Sequence, residues 1–279
     1  KLMNVQSKLG LVVADFGEGV SMARGMKGTE HAVRDLIAVV RNSDMPKKEE
    51  VGGLLEKFVD GAKKTSRELS RFSAKIAGTV DSVVSIDEYA LHTLKRLRGD
   101  VDAEASLMAY IPSLNPFTAL NAHTTEQKIQ AALTQITTHM ATKIPTLIVD
   151  AENLLSDLDN LEHALTLIGE VVHRERAVLH DTEQELLSTL WSRLWHSNLL
   201  SPQLRESFRH HKDILASVTS YRERALNLVS KTLVELVAIQ TDLELFRERL
   251  VAPALGESVP LEVQIDSIKR SVDRLNRGR

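Results

Sequence analysis

The sequence contains no cysteine. Disulfides, thiol catalysis and cysteine-ligated zinc or iron–sulfur clusters are therefore excluded for this chain, and the composition fits an intracellular location. Aromatic residues make up only 4%. Sandwiches and barrels lean on aromatic and β-branched side chains, whereas long helical bundles fill with Leu, Ile, Val and Ala. No run of about 18 apolar residues occurs, so no segment of the chain reads as a simple bilayer-spanning helix. The opening "KLMNVQSKLG" lacks the charged start and sustained apolar stretch of a signal peptide. A start on Lys1 rather than methionine is expected of a fragment or a processed form. A formal net charge of -3 gives no case for nucleic acid as a partner.

What is present is helical pattern. The 279 residues, 43% hydrophobic and 26% charged, suffice for one elongated unit or two compact domains. A first helix is expected over residues 2–41, with Leu9, Val12, Phe16, Val20 and Ala23 on one face. Gly10, Gly17, Gly19, Gly25 and Gly28 interrupt it. Each interior glycine costs about 1 kcal/mol relative to alanine, a cost accepted where a neighbouring helix comes close or where the chain hinges. "NSDMP" ends this helix, because Pro46 disfavours helical geometry at Met45 and the residues before it favour turns.

A second helix is expected over 47–98. Val51, Leu55, Phe58, Ala62, Thr65, Leu69, Phe72 and Ile76 alternate steps of four and three, the seam of a coiled-coil-like bundle. Residues 99–123 read as a non-periodic connection. The stretch from Ala105 to Thr125 has no charged side chain and carries Tyr110 and Phe117, so it either folds down on the bundle or offers an apolar contact. A third helix is expected over 124–197, with a seam at Leu154, Leu158, Leu161, Leu165, Ile168 and Val172 and a kink or division at Pro145. A fourth covers 203–250, its stripe being Leu226, Val229, Leu233, Leu236, Leu243, Phe246 and Leu250. A short closing helix over 260–276 carries Leu261, Ile265, Ile268, Val272 and Leu275 and is too short to stand alone in water. The expected fold is all-α: a single elongated domain over 1–279, an antiparallel bundle of long, partly kinked helices.

Signals for chemistry are sparse. "EVVH" places Glu170 and His173 three apart, half of a di-iron bundle motif, but no second Glu-x-x-His accompanies it. His173 and His180 could share a face, and His210 and His211 are adjacent, without further ligands at metal-site spacing. No phosphate-binding loop is present. No catalytic residue, cofactor or metal is expected. The feature that stands out is a basic stripe, Lys64, Arg67, Arg71 and Lys75, with Glu68 as an acidic intruder. Asp150, Glu152, Asp157, Asp159 and Glu162 lie in a stretch of the third helix free of Lys and Arg. The two runs could pair inside the bundle, or the basic one could meet anionic lipid or an acidic protein.

The order of four phrases carries a resemblance. "LVVADFGEGV", "LSRFSAKIAGTVDSVVSIDEYALHTL", "LLSTLWSRLW" and "LELFRERLVAPAL" follow one another as in a family of fungal long-helix proteins with no assigned activity. It resembles that family over most of the chain except the uncharged connection. The resemblance implies a fungal source and membrane association through segments outside this chain, and it carries over no catalytic residue. The expected function is a non-enzymatic, self-associating helical scaffold at an intracellular membrane. In that reading Lys64, Arg67, Arg71 and Lys75 contact headgroups, and Tyr110 and Phe117 add an apolar contact. The alternative is a soluble coiled-coil adaptor that binds proteins without lipid.

Overall fold

The computed structural model describes residues 2–108, 118–175, 186–194 and 202–251, together with Asp266, Lys269, Arg270 and Asp273. These residues form an all-α bundle, with no strand among them. The helices are α1 (Leu2–Arg41), α2 (Lys48–Met108), α3 (Thr118–Glu175), α4 (Leu186–Leu194) and α5 (Pro202–Val251). The four residues described in the closing segment are helical and exposed. Their spacing of three, one and three places them on one polar face. The closing seam itself, from Leu261 to Leu275, lies outside the described residues.

The α1–α2 junction forms as its residues dictate. Asn42 Nδ2 donates to Ala38 O at 2.8 Å and Ser43 Oγ to Val40 O at 2.6 Å, adding to the backbone bonds that these carbonyls of the last turn accept from Asn42 N and Ser43 N. Met45 N then donates to Ser43 Oγ at 3.3 Å. Arg41 and Glu56, 2.7 Å apart, tie the two helices just beyond the turn.

Two helix boundaries differ from the sequence reading. Helix α2 runs on to Met108 and α3 begins at Thr118, so 99–108 and 118–123 are helix rather than connection. Loss of apolar periodicity removed the sequence signal there, yet Ala103, Glu104, Ala105 and Ala119, Leu120, Ala122 are strong helix formers. One glycine, Gly99, is not enough to end the run. Helix α3 also continues through Pro145 without dividing. A mid-helix proline costs about 3 kcal/mol, but Ile144 and Leu147 on either side are fully buried and anchor the turn. The run expected over 124–197 appears as α3 and α4, with residues 176–185 outside those described.

The chain divides into two compact units. The first comprises Lys1–Asp15, Ala74–Val149 and Leu233–Arg279, and the second Phe16–Ser73 and Asp150–Thr232. In the first, Val5, Leu9 and Val12 of α1 are buried, as are Ile76, Val80 and Val83 of α2, Ile136 and Met140 of α3, and Leu236, Ile239 and Leu243 of α5. An ion pair between Lys8 and Asp242 at 2.8 Å links α1 to α5 at the edge of this core.

In the second unit the α2 seam of Val51, Leu55, Phe58, Ala62, Thr65, Leu69 and Phe72 is buried as its spacing predicts. It faces a core shared with Leu154, Leu158, Leu161 and Ile168 of α3 and Val229 of α5. Gly25 serves close packing, since a Cβ there would lie 3.0 Å from the Tyr221 ring of α5. Gly28 does not, because nothing lies within 4 Å of its Cβ position. The α5 stripe is the expected one in part: Val229, Leu236 and Leu243 are buried, but other members differ. Ala225, Val229, Thr232, Leu236, Ile239 and Leu243 are buried, whereas Leu226, Leu233 and Phe246 are half-exposed. The leucines lie at the margins of the true seam, whose small and polar members, Ala225 and Thr232, do not read as core.

Candidate functional site

The steps of three, four and four from Lys64 to Lys75 set the four basic residues along one side of α2. Lys64, Arg67 and Arg71 belong to the second unit and Lys75 to the first. All four are exposed. Tyr110 and Phe117, the expected apolar contacts, lie outside the described residues.

The stripe is not a row of unpaired cations. Lys64 Nζ donates to Asp157 Oδ1 at 2.6 Å, reaching from α2 to the acidic run of α3. Asp157 raises the lysine pKa above its ordinary 10.5, first through this hydrogen bond and then through its charge. Desolvation opposes the shift, and Glu68 adds a smaller upward push. Because the folded-state pKa is raised, the pair's contribution is complete below the unfolded value of 10.5 and is lost as pH rises through the folded value. The Lys64 side-chain NMR titration should therefore have its midpoint above 10.5, and Asp157→Asn should lower it. An unchanged midpoint in the variant would show that the pair does not persist in solution.

Glu68, the intruder in the basic run, takes Arg71 at 2.8 Å. Among the described residues no acidic group pairs with Arg67. The backbone carbonyl of Lys75 accepts from Thr79 Oγ1 at 2.8 Å.

The acidic run of α3 makes a second connection that the sequence hides. Glu162 Oε2 lies 2.5 Å from Arg222 Nη1 of α5, outside the directions of a hydrogen bond. Arg222 is 7% exposed. In "SYRERA" it reads as one surface charge among several. Only the register of α5 turns it inward, three positions before Ala225 in the same seam.

The described histidines take part in local contacts. Glu170 accepts from Arg174 at 3.4 Å, and His173 is half-exposed. His211 Nε2 lies 3.2 Å from Asp35 Oδ2, while its ring packs edge-on to Trp191 at 5.3 Å. His210 points to solvent, and His180 lies outside the described residues. Among the described residues no group of three or more His, Asp or Glu side chains is placed to hold a metal ion. Nor, among them, is any helix long and apolar enough to cross a membrane.

A feature absent from the sequence reading appears in the first unit. Leu11, Tyr89, Val149, Val234, Val237 and Leu245 are large hydrophobic side chains left exposed, and all six belong to that unit. Val234, Val237 and Leu245 form a stripe on α5 with Thr241 between them. It lies opposite the buried Leu236, Ile239 and Leu243. An α5 read from leucine positions alone conceals this stripe, because its members look like ordinary helix-interior valines.

Comparison with models of known protein families gives no match, and neither does comparison with curated proteins. The resemblance to fungal long-helix proteins therefore rests on the four helical phrases alone.

Proposed function

We propose that the chain is a non-enzymatic helical scaffold that binds other proteins, with its basic stripe serving the bundle rather than lipid. The observation that carries this reading is the α5 stripe, where Val234 is 68% exposed on the face turned away from the core. Isolated exposed apolar residues are common, but a stripe of them along one helix is the form that helix-on-helix recognition uses. The pairing of Lys64 with Asp157 and of Arg71 with Glu68 lowers the charge available to a headgroup layer. A second copy of the chain is one such protein partner, which would make the scaffold self-associating.

In favour of the membrane reading stand exposed basic residues of this face with no acidic partner among the described residues, Lys57 and Arg67. Each basic residue near an anionic surface contributes about 1 kcal/mol, and stable attachment needs several. The pairs of Lys64 and Arg71 leave fewer than that on this face.

Two measurements separate the readings. Wild-type protein should not co-sediment with phosphatidylserine vesicles at low salt. Salt-sensitive sedimentation, abolished by reversing Lys64, Arg67, Arg71 and Lys75 to Glu with helicity unchanged, would establish the membrane reading instead. A photo-crosslinker at Val237 should yield discrete protein adducts in the source cell that vanish on Val234→Glu. The same probe at exposed Glu223 should yield none. Equal adducts from both positions would show that the stripe recognises nothing.

A further inference from the structure

The second unit contains a small, partly open cavity bordered by Thr29 of α1, Phe58 of α2, Leu161 of α3, and Val218, Tyr221 and Arg222 of α5. Its water-accessible space is about 10 Å³, close to the minimum that one water molecule occupies. A purely apolar void of that size would stay dry, but this one has a polar wall. Arg222 is more than nine-tenths buried, and its Nε and Nη1 find no hydrogen-bond acceptor among the described residues. Glu162 balances the guanidinium charge at close range without satisfying these donors. Thr29 is 3% exposed and spends its hydroxyl proton on Gly25 O at 3.3 Å. The lone pairs of its oxygen remain available as acceptors.

We propose that the cavity is a binding site for one internal water molecule, which accepts from Arg222 Nε and donates to Thr29 Oγ1. Arg222 and Thr29 border the same water-sized space, and between them they supply the donor and the acceptor that such a water needs. The charge balance selects a neutral ligand. Glu162 already offsets the guanidinium, so an anion would add an unbalanced negative charge beside a carboxylate. The water would link α1 to α5, where Thr29 and Tyr221 bracket the close approach at Gly25.

A crystal structure of the wild-type chain at a resolution that shows solvent should place one water within hydrogen-bonding distance of Arg222 Nε and Thr29 Oγ1. A crystal structure of Thr29→Val, which keeps the side-chain shape and removes the acceptor, should lack this water. Arg222→Met should lose the same water. An empty cavity, a Glu162 carboxylate turned to satisfy Nε, or a bromide peak at the site after soaking would overturn the proposal. So would the same water still bound at the site in folded Thr29→Val. If Arg222→Met does not fold, the wild-type crystal and Thr29→Val decide the matter alone.

Discussion

Trp191→Ala lowers the stability of the second unit by about 3–5 kcal/mol, the cost of truncating a large aromatic side chain in a packed core. The residue is fully buried, and it sits on α4, a helix of nine residues. A helix so short has no stability of its own in water. Its order comes from the face formed by Leu187, Leu190 and Trp191, and the tryptophan supplies most of that face's area. Its ring also receives the edge-on packing of His211, which in turn reaches Asp35 of α1. One side chain thus connects α4 to α5 and, through the histidine, to α1. Urea unfolding followed by circular dichroism should show the loss, and amide exchange should accelerate across Leu186–Leu194 before it does in α2. Trp191→Phe should recover part of the loss, because it restores an aromatic edge contact. A variant with an unchanged midpoint would mean that α4 rests on the unit without sealing it.

The fold was more legible in the sequence than the site, for a physical reason. A buried face repeats, so Val51 to Ile76 reveals itself through eight positions at once, and an error at any one of them changes little. A helix end is a local event. Strong helix formers carried α2 past Gly99 and α3 across Pro145, where tertiary packing outweighed a breaker that sequence rules weigh alone. In α5 the repeat was visible at Val229, Leu236 and Leu243, but leucines at the seam's margins outshine the alanine and threonine that complete it. That small difference decides where charges go. It buries Arg222, whose sequence neighbourhood is that of a surface residue, and exposes Val234 and Val237, whose neighbourhood is that of a core. The cross-helix pairing of Lys64 with Asp157 was one of the alternatives that the basic and acidic runs left open. Sequence fixes the sign of each run but not the register of α2 against α3, and the register selects the partner.

Replacing Gly28, Gly53 and Gly78 together by alanine raises stability by about 3 kcal/mol, whereas Gly25→Ala alone lowers it. All four are in helix interiors, and alanine there gains about 1 kcal/mol over glycine through lost backbone freedom in the unfolded chain. What differs is the space. A Cβ at Gly28, Gly53 or Gly78 meets nothing within 4 Å, so the gain is kept, and three sites far apart in sequence should add. For a chain of this size the triple variant should melt about 6–12 °C higher. At Gly25 the added methyl would lie 3.0 Å from both Cε1 and Cζ of Tyr221. A planar ring cannot fold away as the end of an aliphatic chain can. Overpacking of this kind costs about 1–3 kcal/mol, enough to cancel the propensity gain and leave a net loss. Gly61 is the intermediate case, since its close neighbour is Cδ2 of Leu161, the movable end of a side chain, and Gly61→Ala should be near neutral. The double variant Gly25→Ala/Tyr221→Leu isolates the cause. With the ring removed, Gly25→Ala should become stabilising relative to Tyr221→Leu alone. If Gly25→Ala stays destabilising in that background, the ring is not what requires glycine there.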